Sequence, residues 1–155
     1  MKLILLISIV FALSKSIPLP IPSPTNGYLP LSWENTTEPH PERKSWSEFL
    51  SSKIDLSLNV FEAAKDITDF CPKFKTLDKA HKIKAVGELI VATSYYESGY
   101  NIKSSSVDVG TKGDKNTYSV GLLQLSVVDQ PNYHLFFGYT YDDLLQAIPN
   151  LNLGE

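Results

Sequence analysis

Apolar positions follow two different rhythms along this chain, and the change comes near residue 45. Leu3 to Ala12 is an apolar run interrupted only by Ser8, behind the positive start Met1-Lys2 and ahead of the small-residue segment Leu13-Ser14-Lys15-Ser16. That layout predicts a secretory signal peptide over residues 1–16, too short to span a bilayer as a helix. A buried N-terminal strand or helix is the alternative. Residues 17–44 read as a disordered Pro-rich linker, because seven of the ten prolines fall between Pro18 and Pro41. Pro18-Leu19-Pro20-Ile21-Pro22-Ser23-Pro24 alternates proline with apolar or small residues. Such a segment favours extended polyproline conformations and builds no core.

From residue 45 the spacing turns helical. Ser45-Trp46-Ser47-Glu48 has the pattern of a capping box, and Trp46, Phe49 and Leu50 share a face. A second helix is expected over residues 56–70, with Val60, Phe61, Ala64, Ile67 and Phe70 as its stripe and Cys71-Pro72 as its stop. Thr76 is the expected cap of a third, where Ile83, Val86, Ile90 and Thr93 keep the spacing of one buried face. Another turn in that phase arrives at Glu97. A carboxylate there lies on the apolar side, at the negative end of the helix dipole, and both disfavour its charged form. Residues 101–118 are rich in Ser, Lys, Asp and Gly and predict an irregular lobe or short hairpin. A short helix is expected to begin near Gly121, and another over residues 141–147 with Thr140 as cap and Pro149 as stop. Asn150-Leu151-Asn152-Leu153-Gly154-Glu155 reads as the opening of a further helix, cut short. The fold class is therefore mainly α, in one domain over residues 45–155.

Composition narrows the function. The 155 residues carry 14 basic and 17 acidic side chains, a net charge of −3. Cleavage after Ser16 would leave 12 basic residues against 17 acidic, a net charge of −5. That argues against nucleic acid as a partner, and it gives no basic field to draw the chain to an anionic cell wall. Cys71 is the only cysteine, so packing rather than an internal disulfide must hold an exported domain together. It reads as a buried structural thiol, with no partnered base nearby. His40, His81 and His134 have no ligand spacing, and Asp108 and Asp114 around Gly110 and Gly113 miss a calcium loop. No metal and no cofactor are expected.

Glu97-Ser98, followed by Gly121-Leu122-Leu123-Gln124, resembles the catalytic signature of the soluble lytic transglycosylase family, whose fold is goose-type lysozyme-like. Leu123 stands where that family usually has methionine, and Asn150-Leu151-Asn152-Leu153-Gly154 is similar to a third family element that begins a core helix. The resemblance runs from Trp46 to Glu155. It implies a lysozyme-like helical domain with a small lobe after the catalytic helix, incomplete at its C-terminus, since the family's later tyrosine motif lies past Glu155. It also makes residues 102–118 an insertion. The implied substrate is the glycan strand of peptidoglycan, cleaved between N-acetylmuramic acid and N-acetylglucosamine by an exported monomer. Glu97 would be the acid that protonates the bridging oxygen. Ser98 would orient Glu97, Gly121 would let backbone approach the sugar, and Leu123 and Gln124 would line the saccharide site, Gln124 through its amide. The alternatives are a hydrolase using the same acid with water, an inactive truncated glycan-binding protein, or a module that blocks a cognate glycosidase. Tyr95 and Tyr96 read as core or groove wall, and Glu97 could also be an ordinary solvated glutamate.

Overall fold

The computed structural model describes residues 28–107, 117–129 and 139–153. The expected signal peptide, the start of the Pro-rich segment, Asp108, Gly110, Gly113, Asp114 and His134 lie outside the described residues. The chain is mainly helical with one small antiparallel sheet. It divides into two compact units whose described parts are residues 28–92 and residues 93–153.

The first unit begins earlier than the sequence pattern suggests. Helix α1 spans Glu42–Leu56, with Pro41 rather than Ser45 at its N-cap. Ser45 is already inside the helix and donates its hydroxyl to the Glu42 carbonyl. Residues 28–44 are not a linker. Leu31 and Trp33 are fully buried, and Ser32–Glu34 forms a 3-10 helix. The Trp33 indole N–H donates to Ser47 Oγ at 2.6 Å, and Arg43 Nη1 donates to the Trp33 carbonyl at 3.0 Å. Trp33 and Trp46 meet edge to face, their centroids 5.6 Å apart. Tyr28 hydrogen-bonds Glu34, and burial, with that bond, pushes its phenol above the ordinary range. Leu31 and Trp33 sit between Pro30 and Pro39, so an average over the proline-rich stretch hides two strong apolar anchors. We expect Trp33→Ala to cost about 3–5 kcal/mol, the range for emptying a fully buried aromatic site. Urea unfolding measures it, and an unchanged midpoint would return residues 28–38 to the role of spacer.

The helix expected over residues 56–70 is broken. Leu58–Ala63 forms α2 and Ile67–Phe70 forms α3. Leu58, Phe61, Ala64 and Ile67 are buried, whereas Leu56 and Phe70 are exposed and Val60 is half-buried. Phe61, Ala64 and Ile67 are three residues apart, and such steps slip back by about 60° each on a helix of 3.6 residues per turn. An unbroken helix would carry Ile67 off the buried side, and the break at residues 64–66 brings it back. Cys71 is half-buried, not buried as expected. Helix α4 spans Lys79–Ser98. Its cap is Asp78, whose Oδ1 accepts the His81 N–H at 2.9 Å and whose carboxyl that bond lowers. Thr76, the expected cap, belongs to the preceding 3-10 helix Phe74–Thr76.

In the second unit three short strands form one antiparallel sheet in the order β1 (Ser105–Val107), β2 (Tyr118–Val120), β3 (Leu125–Ser126). Ser105 pairs with Val120, and Val120 with Leu125. The expected hairpin over residues 101–118 is thus the β1–β2 pair. Fully buried Val120 and Leu144 centre a small core, against which Tyr118, Leu125, Val127, Tyr139, Tyr141 and Leu145 pack. Helix α5 spans Tyr141–Leu144, capped by Thr140 in a reciprocal box with Asp143. The Thr140 backbone N–H holds the Asp143 carboxyl below the usual carboxylate range. Helix α6, Ala147–Leu153, contains Pro149 in its first turn, so that proline starts a helix rather than stopping one.

Candidate functional site

The candidate site lies in the second unit, where the end of α4 meets the β2–β3 connection. That connection is the first departure from expectation. Gly121–Gln124 opens no helix. It is a tight turn that reverses the chain from β2 into β3, closed by Gln124 N–H donating to the Gly121 carbonyl at 3.3 Å. Gly121 has φ +78°, the left-handed region that glycine tolerates and other residues enter at a cost. Its backbone N–H donates to the Ser104 carbonyl at 2.9 Å, fixing the turn to the residue that precedes β1.

Asn150 sets the other side of the turn. Fully buried, its amide donates to the Val120 carbonyl at 2.9 Å and the Leu144 carbonyl at 3.0 Å, and its Oδ1 accepts the Leu123 N–H at 2.8 Å. One side chain thereby satisfies polar backbone groups on both sides of the turn and at the end of α5. Buried backbone groups need such partners.

Helix α4 ends beside this turn. Gly99 and Tyr100 both take positive φ, 60° and 66°, and the Gly99 N–H donates back to the Tyr95 carbonyl at 2.9 Å. Ser98 hydrogen-bonds two carbonyls, Ser94 O at 2.9 Å within the helix and Leu122 O at 3.0 Å in the turn. The two halves of the sequence signature are therefore joined, and the joint is the Ser98 hydroxyl. It does not orient Glu97 as expected, because it is committed to those backbone carbonyls.

Glu97 itself is exposed, which corrects the expectation of an apolar setting. Beyond Val86 the buried positions are Gly87, Ile90, Val91 and Ser94, while Thr93 is exposed. Steps of four residues advance by about 40° each around a helix of 3.6 residues per turn. The buried side thus rotates onto Ser94 and half-buried Ser98 and leaves Glu97 beside it. Gln124 also differs from expectation. Its Nε2 donates to Ser104 O at 3.2 Å and Gly121 O at 3.0 Å, and its Oε1 accepts from Ser106 Oγ at 2.9 Å. The amide expected to bind saccharide is spent on holding its own turn, with Gln124 at φ 50°. For a residue other than glycine, such a backbone costs on the order of 1 kcal/mol and persists only where its surroundings enforce it. Leu123 is half-buried and contributes its N–H to Asn150.

Three positioning residues escaped the sequence reading: Ser94, Ser104 and Ser106. Ser94 left a trace, as a serine four residues before Ser98 inside an apolar stripe. Ser104 acts through its carbonyl, so its side chain gave no signal. Tyr95 and Tyr96 are not core: they are 58% and 86% exposed. Among the described residues, no group of His, Cys, Asp and Glu is placed to hold a metal ion, and no helix is long and apolar enough to cross a membrane.

No family model matches the chain, and no curated protein matches it. A solved structure of DslA (Bd0314, wild-type form 2) is similar to it, with a TM-score of 0.64 and 26% sequence identity over 83% of this chain and 70% of that one. That likeness agrees with a mainly helical fold that carries a small sheet.

Proposed function

We infer that this chain is an exported, lysozyme-like protein that binds peptidoglycan glycan strands as a monomer and cleaves the bond between N-acetylmuramic acid and N-acetylglucosamine as a lytic transglycosylase. The observation that carries the reading is the Ser98 bond to Leu122 O at 3.0 Å, which holds the helix end bearing Glu97 against the Gly121–Gln124 turn. Two sequence segments that resemble one family's signature are thus neighbours. A carboxyl at that helix end faces outward, where a polymer too large to enter a closed cavity can reach it.

The chemistry follows from one carboxyl. Glu97 donates its proton to the bridging oxygen as the bond from that oxygen to C1 of the muramic sugar breaks. The sugar's own N-acetyl oxygen stabilises the cationic C1. The Glu97 carboxylate then takes the proton from the 6-hydroxyl of the same sugar, whose oxygen bonds to C1 and closes a 1,6-anhydro ring. Exposed in the free protein, the acid lacks apolar surroundings, and a glycan strand laid over it would exclude the water. The turn's role is steric and backbone-borne, because the Gln124 amide is engaged. If water attacks C1 instead, the product is that of a lysozyme. Exposure of Glu97 favours a second reading, a glycan-binding protein without turnover.

Mass spectrometry of digested sacculi separates these readings. Anhydro ends support the transglycosylase and new reducing ends the hydrolase. Intact sacculi that nonetheless retain the protein on sedimentation leave only the binder.

A further inference from the structure

Beside Glu97 stands a feature that the cleavage chemistry does not use. Tyr95 and Tyr96 are 58% and 86% exposed on the last turns of α4, and half-buried Tyr100 follows just past the helix end. The Tyr95 ring meets Tyr96 edge to face at 5.6 Å between centroids and Tyr100 at 5.5 Å with a 54° tilt. Tyr100 is held there by a left-handed backbone, φ 66°, that a non-glycine residue adopts only under constraint. Tyr95 and Tyr96 leave most of their ring surface in water, and exposed aromatic clusters of this kind mark binding surfaces.

Exposed aromatic ring faces receive flat partners, either nucleobases or sugars. A platform for single-stranded nucleic acid needs a basic groove to track its phosphates. Between Thr93 and Val107 the only charged side chains are Glu97 and Lys103, on a chain whose net charge is −3. Residues 93–107 thus offer a polyanion no basic groove, whereas an uncharged pyranose unit meets no electrostatic penalty there. A pyranose presents an apolar face of C–H bonds inside a rim of hydroxyls. Tyrosine presents a ring face with a hydroxyl at its edge, so the two match in both parts.

We propose that Tyr95 and Tyr96, buttressed by Tyr100, form a saccharide-stacking subsite for an uncharged N-acetylglucosamine unit of the glycan strand, next to the bond that lies at Glu97. The inference rests on the functional reading above and adds the surface by which the strand is gripped. The subsite explains how an exposed acid obtains a covered substrate: the rings hold the strand against the helix end that bears the carboxyl.

Calorimetric titration of the full chain with the N-acetylglucosamine hexamer tests it, with peptide-free glycan strands as a second probe. Tyr96→Ala should weaken binding about tenfold, within the range for removing one stacking ring, and the Tyr95→Ala, Tyr96→Ala pair should weaken it further. Tyr96→Phe, which keeps the ring face, should bind as the unmodified protein does. Tyr96 is too exposed for its loss to unfold the helix, so circular dichroism should stay unchanged. Should the alanine variants match the unmodified chain in hexamer binding, the subsite is overturned while the functional reading stands. Tighter binding of a thymidine oligonucleotide than of the hexamer would identify a nucleobase platform and overturn it too. A chain that neither binds nor cleaves any glycan removes the functional reading and the subsite with it.

Discussion

Replacing Gly121 by alanine is expected to destabilise the second unit severely. Two effects add. The new residue would have to hold φ near +78°, where a Cβ costs about 1–2 kcal/mol. The added Cβ would also sit 2.3 Å from the Leu144 carbonyl oxygen and 2.3 Å from Asn150 Nδ2, distances at which something must move. Neither neighbour is a free side-chain end. Leu144 O is backbone, and Nδ2 is the donor that serves Val120 O and Leu144 O. Displacing it strands buried carbonyls at about 1–3 kcal/mol each. The total is about 4 kcal/mol or more, set against the roughly 5–15 kcal/mol that stabilises a typical domain. Urea denaturation and the dispersion of amide resonances from residues 117–129 would report it. A well-folded Gly121→Ala protein with unchanged stability would mean that the turn is built otherwise. Asn150→Leu is the companion variant, since it removes the donor without adding a clash at residue 121. It should reproduce most of the loss.

Much of this architecture was legible in the residues, and the failures have physical causes. The α4 period was readable because Ile83, Val86 and Ile90 keep helical spacing over two turns. Thr140 was readable because a hydroxyl three residues before an acid is a local device with a local partner. What failed depends on atoms distant in sequence. Gly121–Gln124 is a turn because Ser104 and Asn150 hold it, and a window of four residues cannot show either. Glu97 and Gln124 were expected in the roles their positions suggest. Yet the i+4 drift of the buried side and the Ser104 carbonyl decide where one points and how the other spends its amide. Residues 28–44 were lost to composition, since prolines spread over the segment outweighed Leu31 and Trp33. The pairing of Glu97-Ser98 with the Gly121 turn, read as a resemblance, is the part of the site that the fold brings together, through Ser98 rather than through the acid.

Glu97→Gln is expected to lower the turnover of sacculi by about 10²–10⁴-fold, the range for losing a positioned general acid, while leaving glycan affinity within about twofold. The amide keeps the size and hydrogen-bonding reach of the carboxyl but has no proton to give the departing oxygen. Because Glu97 is exposed and Ser98, not Glu97, joins the helix to the turn, the substitution should not alter stability. Folding and chemistry are therefore separable at this position, as they are not at Gly121. The measurement is the release of soluble muropeptides over time, beside sedimentation with intact sacculi and a urea melt. Lost turnover with both binding and melt preserved assigns the proton to Glu97. Turnover that survives the change would show that another group supplies it, and the Glu97-Ser98 signature would then have no catalytic meaning here. Activity absent from the unmodified protein as well would leave glycan binding as the function, with Tyr95 and Tyr96 rather than the carboxyl as its working surface.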